Sequence, residues 1–306
     1  MKNKKIIAML SLLVILVFIG YIIYDTSRPV NYGDENVKNV SESKPPDMWR
    51  VSLEIFVKDG LKAVAASENG NIYAGGDSFI KCYNSELKEV WSIDTPSKIT
   101  ALSFYENVLY ATSQELVYLL SSDGRITGEW GPYETGSLFT SISVNKDYAA
   151  VADAGNKTVY IIKKDGEVAS LIGHFGEKLI IPSPYFDVFL TADNTLYMAH
   201  TGSFRIEKRT LEGKLTDYYG ESGSEPGKFC GCCNPAHFTV IPQGFLTAEK
   251  GINRIKILGI EGGFSEFVSS ENEFIASVPL DVASADGRTI YGANPADGKI
   301  YVFKRK

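Results

Sequence analysis

The run KFCGCCNPAHF, residues 228–238, sets Cys230, Cys232 and Cys233 within four positions and places His237 four residues beyond the last of them. Three thiolates and an imidazole suit a soft or borderline ion, zinc or Cu(I). The same residues admit two other chemistries. Cys230 and Cys233 have C-x-x-C spacing, which in an oxidising compartment makes a disulfide staple and leaves one loop thiol over. A redox-active pair normally precedes a helix whose N-terminus lowers the thiol pKa, whereas here Asn234-Pro235 leads into a β-rich run. Cys82 stands far away in another β-rich run and is expected to be a buried thiol. Nothing in the chain reads as a nucleophile elbow, a phosphate-binding loop or an H-E-x-x-H zinc helix.

Which chemistry applies depends on compartment, and the N-terminus bears on that. After Lys2, Lys4 and Lys5, the stretch from Ile6 to Tyr24 is uninterrupted by charge. At close to the ~20 residues a bilayer crossing needs, it reads as a transmembrane anchor over 6–24. Bulky residues stand where a signal-peptidase site would want small ones. The lysines ahead of the span mark residues 1–5 as a cytoplasmic stub and put everything after the anchor on the extracytoplasmic side. Residues 25–47 are polar, carry Pro29, Pro45 and Pro46, and read as a flexible tether. A net charge of −6 with no basic block beyond the anchor argues against a nucleic-acid partner.

Residues 48–306 must then position whatever the cysteines and histidines do. Short β-rich runs recur there between Gly, Asn and Asp turns: NIYAGG, VLYATS, YAAVAD, TLYMAH, FLTAE and TIYGAN, each followed by a second strand and, in five of six units, a hairpin turn such as Asp123-Gly124 or Asp165-Gly166. The sixth unit ends at IYVFKRK without an outer strand, and MWRVSLEIF at 48–56 resembles the outer strands of the other units. Pairing the two closes the array and removes its open edges. The expectation is an all-β, six-bladed β-propeller of four-stranded blades with the N-terminal strand completing the last blade.

The stretch YGESGSEPGKF, followed by NPAHFTVIPQGFLTAEKGINRIKIL, at 219–258 resembles an NHL repeat, in which a Gly-rich run leads through a proline to an inner strand and then to A-D-x-x-N-x-R-I. VADAGNKTVYII and MAHTGSFRIEK resemble it less closely. The chain departs from the pattern in its inserted CGCC and in His200 and Glu249, which replace the family's aspartate. The resemblance implies a propeller that binds a protein or small-molecule ligand on its loop face. It also implies an alternative, because some related propellers are lyases or lactonases with calcium or zinc in the central channel.

Connectivity places the residues. In a blade whose first strand is innermost, the link from the preceding blade and the turn between second and third strands share one rim. Cys230, Cys232, Cys233 and His174 fall in links; Asp153, His200, Glu249 and Asn294 fall at second-to-third turns; Asp187, His237 and Asp281 stand at equivalent starts of inner strands. Oxygen ligands from this set suit Ca²⁺ and the imidazoles suit Zn²⁺. Asp153, Glu249 and Asn294 equally suit turns whose backbone they would satisfy. Arg205 and Arg254 are expected in inter-blade ion pairs or rim packing. The sequence thus predicts a membrane-tethered extracytoplasmic binding module with the cysteine-bearing rim as its contact or metal surface, and, as the alternative, a metal-dependent lyase or hydrolase using the central channel.

Overall fold

Each repeat folds as a four-stranded antiparallel sheet in a computed structural model that describes residues 12–20, 45–174, 178–231, 233–270, 274 and 278–306. The chain divides into two units, Met1–Lys44 and Pro45–Lys306. In the first, residues 12–20 are helical and the rest of the expected anchor and nearly all of the tether lie outside the described residues. Among the described residues no helix is long and apolar enough to cross a membrane.

The second unit is a six-bladed β-propeller. Blade 1 runs outward through Leu61–Ala66, Ile72–Gly76, Phe79–Tyr83 and Glu89–Asp94, and the same order repeats. The innermost strands of blades 2 to 6 are Ala101–Tyr105, Phe139–Val144, Val188–Leu190, His237–Ile241 and Asp281–Ala283. Strand burial follows from stacking sheets face to face. The second strands Ile72–Gly76, Leu196–His200 and Gly244–Ala248 are buried throughout and the other three nearly so, because both faces meet a neighbouring blade. The outer strands Glu89–Asp94 and Leu215–Tyr219 are largely exposed.

The core is correspondingly divided into six seams. One cluster joins Ile80 and Tyr73 of blade 1 to Leu109 and Tyr118 of blade 2, the next joins Tyr110 and Trp130 to Phe139 and Tyr160, and so on around the ring to Val64 and Ile72 against Ala293 and Ile300. Turns between third and outer strands hold Gly124, Gly166, Gly213 and Gly262 at φ of 85°, 91°, 89° and 81°. Only glycine takes that region without strain, which is what the Asp-Gly and Glu-Gly pairs had signalled.

Ring closure is as the complementary terminal runs require. Trp49–Phe56 pairs antiparallel with Lys299–Arg305, from Trp49 opposite Arg305 to Phe56 opposite Lys299, and becomes the outer strand of blade 6. The residues just before it stitch on to blade 5: Met48 N donates to Phe267 O at 3.1 Å, and Asp47 accepts from the Ser270 hydroxyl. Trp49, only 2 % exposed, sits in the cluster shared by blades 5 and 6, and its Nε1 donates to Glu266 at 3.1 Å. Truncating a buried aromatic of this kind costs roughly 3–5 kcal/mol. Trp49→Ala is therefore expected to lower the unfolding free energy by about that amount in urea titration, and Trp49→Phe by clearly less; a Trp49→Ala change within the scatter of surface variants would refute closure as a stabilising element.

Candidate functional site

Strand register identifies the residues at one height around the central channel. Ser141 lies opposite Ala152, His237 opposite Ala248, Asp281 opposite Ala293, Ala63 opposite Gly75 and Ala101 opposite Thr112. Asp187 takes the same place in blade 4, where its carbonyl accepts from Ala199 N at 2.8 Å. The ring therefore reads Ala63, Ala101, Ser141, Asp187, His237, Asp281, apolar over blades 1 and 2 and polar over the other four.

The carboxylates have a backbone reason to be there. Inner strands of neighbouring blades are not paired with each other, so their facing N–H groups need side-chain acceptors. Asp187 Oδ2 accepts from Phe238 N at 2.9 Å in blade 5, and Oδ1 accepts from Val188 N at 2.9 Å and from the Ser141 hydroxyl. Asp281 Oδ2 accepts from Val64 N at 2.8 Å, across the seam between the last blade and the first.

His237 stands between them. Its Nδ1 lies 3.6 Å from Asp187 Oδ2 and 3.7 Å from Asp281 Oδ1. Burial works to lower the imidazole pKa, but hydrogen bonding to Asp187 and the charges of Asp281 and Asp187 outweigh it and hold His237 above its ordinary value. Burial, reinforced by the charge of Asp187 and opposed by His237, pushes the Asp281 carboxyl up to about 6. All three groups are deep in the molecule, yet the His237 and Asp281 side chains remain 21 % and 19 % exposed, toward the channel.

One ligand atom from each of Asp187, His237 and Asp281 lies within 4.8 Å of the others, the one such grouping of His, Cys, Asp or Glu among the described residues. An ion bound at 2.0–2.6 Å from each would need ligand atoms about 3–4 Å apart, and the Nδ1–oxygen separations meet that. The donor set fits a divalent cation. In its absence a proton on His237 does the same neutralising work.

These three groups form the inner end of a cavity of about 640 Å³. The cavity walls take in the first-to-second strand turns at 67–69, 106–107 and 284–285; on the link side they reach no further than Thr100 and Thr140, and they include no described residue of the second-to-third turns. Its mouth is thus on the face opposite the cysteine loop. On the link side, Tyr185 lies edge-on to His237 at 5.8 Å, with Lys250 Nζ 5.0 Å over the Tyr185 ring.

The other predicted residues do not reach the channel. Asp153 is fully buried and accepts from Leu138 N, Asn156 N and Asn156 Nδ2, tying its turn to the incoming link. Asn294 accepts from Ala296 N within its own turn. His200 is locked between Glu207 and Ile180 N, at 2.8 and 2.9 Å. With Nε2 accepting, Nδ1 carries the proton. Burial would raise Glu207, but hydrogen bonds from His200, Arg205 and Arg209 hold it down at about 2. Glu249 pairs with Arg254 and with Lys256 at 3.0 Å; burial first, with Arg254 adding, pushes the fully buried Lys256 down to about 8. Arg205 and Arg254 pair within their own blades rather than between blades, and Arg254 also donates to Ser224, Glu225 and Lys228 carbonyls of the link.

Cys230 is half-buried, with its thiol pKa raised foremost by burial, and Cys233 is buried; Cys232 lies outside the described residues. Neither described loop cysteine joins His237 in a metal-ligand group, because that imidazole faces the channel aspartates. Asn234 fastens the loop, donating to the Cys230 and Lys250 carbonyls and accepting from Lys250 N at 2.7 Å. Cys82 is a buried thiol. Sequence reasoning missed Ser141, which the inner-strand alignment could have found, and Glu68, Glu106 and Tyr185, which carry no motif.

No protein-family model and no curated protein sequence matches the chain. Solved structures do match in fold. Virginiamycin B lyase from Staphylococcus aureus superimposes with a TM-score of 0.60 at 16 % identity, over 84 % of this chain and 100 % of that one. A protein of unknown function from Bacteroides thetaiotaomicron gives 0.64 at 15 %, over 86 % and 74 %. The WD40 domain of Neurospora crassa Pan2 gives 0.59 at 11 %, over 85 % and 98 %. At these identities the likeness establishes the propeller and nothing finer.

The cluster fixes a pH signature. The folded state binds the Asp281 proton more tightly than the unfolded chain does, so this contribution to stability is complete below about pH 4 and is lost as pH rises through about 6. His237 adds a loss at higher pH, as its raised folded pKa is passed. Asp281→Asn lacks the first transition. The stability of the wild type relative to Asp281→Asn is expected to fall between pH 4 and pH 6 in thermal melts, and a flat difference across that window would contradict the assignment.

Proposed function

We propose that the chain is a membrane-tethered, extracytoplasmic NHL-type propeller that works as a binding module, with the central channel as its ligand site. The observation that carries this reading is the convergence of Asp187, His237 and Asp281 at the inner end of a 640 Å³ cavity. Buried carboxylates are costly unless compensated, and here His237, 3.6 Å from Asp187 Oδ2 and 3.7 Å from Asp281 Oδ1, offers one imidazole to two of them at the edge of the cavity. A divalent cation, zinc or calcium, would be held there by the three side chains and would supply a positive centre for an incoming polar group. The tether rests on the uncharged 6–24 run behind Lys2, Lys4 and Lys5, with residues 12–20 helical and their apolar side chains exposed. The Cys230–Cys233 loop is read as a staple of the opposite rim, where Asn234 already fastens it.

A second reading, a metal-dependent lyase or hydrolase in the same channel, is favoured by the His237 imidazole standing within 3.7 Å of two carboxylates at the inner end of an open cavity, a donor set that would hold a catalytic ion beside an incoming substrate. The fold likeness to virginiamycin B lyase is consistent with it.

Elemental analysis and thiol counting on the purified chain test the site. The expected result is one divalent ion per chain, kept when Cys230, Cys232 and Cys233 are all changed to Ser and lost in His237→Ala, with one loop thiol titrating before reduction and three after. Metal that leaves with the cysteines would move the site to the rim. For the tether, membrane fractionation with protease added from outside is expected to degrade the propeller while it stays membrane-bound; recovery in the soluble fraction would reject the anchor.

A further inference from the structure

Resting on the channel reading above, we propose that the ligand is a linear polyamine, a slender chain with an ammonium at each end, lying along the channel axis. The first argument is sign. The acidic and basic side chains lining the cavity are Glu68, Glu106, Asp187, His237 and Asp281, with Tyr105 the one phenol beside them, and neither lysine nor arginine is among them. Four carboxylates face one imidazole, so an anion is repelled and a cation is drawn in.

The second argument is spacing. Asp187 and Asp281 occupy the inner end, and Glu68 and Glu106 stand exposed at the mouth. From Ala63, at the height of Asp281, to Glu68 is five residues of largely extended chain, or about 15 Å at ~3.3 Å per residue. A metal ion can answer only one of these two poles. A flexible aliphatic chain of 10–16 Å with terminal ammoniums answers both, in the length range of common tri- and tetra-amines.

The walls between the poles suit such a chain. Ser103, Ser143 and Thr239 offer hydroxyls, while Ala65, Val282 and Phe189 offer apolar surface. Methylene groups and an interior secondary ammonium would each find a matching surface.

At the mouth the negative field is concentrated. Tyr105 donates to Glu106 at 3.2 Å, and its phenol pKa is raised by burial and then by the charges of Glu106, Asp147 and Glu68 together. Two cations stand nearby, and one of them, Lys164, interacts with the charges of Glu106 and Asp147. Lys164 Nζ donates to Asn145 O and lies over the Tyr105 and Tyr110 rings, and Lys146 pairs with Asp147 at 3.5 Å.

The test is calorimetric titration of the full chain in non-ionic detergent micelles at low salt, with spermidine as the probe and butylamine as the single-ammonium control. Spermidine is expected to bind one per chain and roughly ten-fold or more tighter than butylamine, a gap of about 1.4 kcal/mol. The pair Glu68→Gln with Glu106→Gln should erase that gap by weakening spermidine to the level of butylamine. Glu86→Gln with Glu212→Gln, which removes charge from turns outside the cavity, should leave the gap intact. Equal affinity for the two amines, or equal loss in both double variants, would reduce the effect to diffuse surface charge and overturn the proposal. Divalent-ion uptake by the same preparation separates the two readings: uptake with silent spermidine sinks the polyamine alone, and loss of both sinks the channel site as well.

Discussion

The antiparallel zipper between Trp49–Phe56 and Lys299–Arg305 is the constraint on which the remaining architecture depends. A propeller blade buries both faces only if it has a neighbour on each side, so six wedge-like sheets make six seams when closed and five when open. The seam between blades 6 and 1, where Val64 and Ile72 meet Ala293 and Ile300, exists because the two ends of the domain are joined. The hydrogen bond from Val64 N to Asp281 crosses that same seam. Closure therefore places half of the channel cluster as well as the last strand.

The channel ring shows how a structural need and a binding surface can share residues. Adjacent inner strands diverge too far to pair, leaving backbone N–H groups that face the axis. Blades 3, 4 and 6 answer with Ser141, Asp187 and Asp281 as acceptors from the following blade. Blade 5 carries His237 instead, which turns to its two carboxylate neighbours. An acceptor ring built solely for stability would be served by serine or asparagine. Two charged acids beside a histidine raise the cost of burial, visible in the upward shift of Asp281, and only an added cation or proton offsets it.

Much of this was legible in the sequence because repeats carry register. Six matched runs and one displaced outer strand were enough to specify a closed ring, and counting along each repeat put Asp187, His237 and Asp281 at equivalent inner-strand starts. The turn residues were less transparent. His200 and Glu249 depart from the aspartate of the NHL pattern, and that departure reads equally as a new ligand or as a new ion pair. The partners decide it: Glu207 lies seven residues past His200, and Lys256 seven past Glu249, on the adjoining third strand. Those partners are visible in the sequence once the hairpin register is known, since a third-strand residue pointing back at the turn repeats at a fixed offset. The cysteine loop had no such internal reference, because an insertion has no counterpart in the other blades from which to infer its course.

The two faces of the disc consequently do different work. The loop cysteines and buried ion pairs concentrate on the rim of links and second-to-third turns, where Asp153, His200 and Arg254, the last held by Glu249, each anchor an incoming link to a turn. That face is where rigidity is needed, since every link there must hold the next blade at its angle. Tyr185 and Lys250 add cover directly behind His237. On the opposite face the first-to-second turns are short, carry Glu68 and Glu106, and leave the cavity open. A ligand approaching from that side meets carboxylates first, passes hydroxyl and aliphatic walls, and reaches the aspartate–histidine cluster last. Polarity along the channel axis, rather than the conspicuous cysteines, is therefore the feature on which the proposed choice of ligand rests.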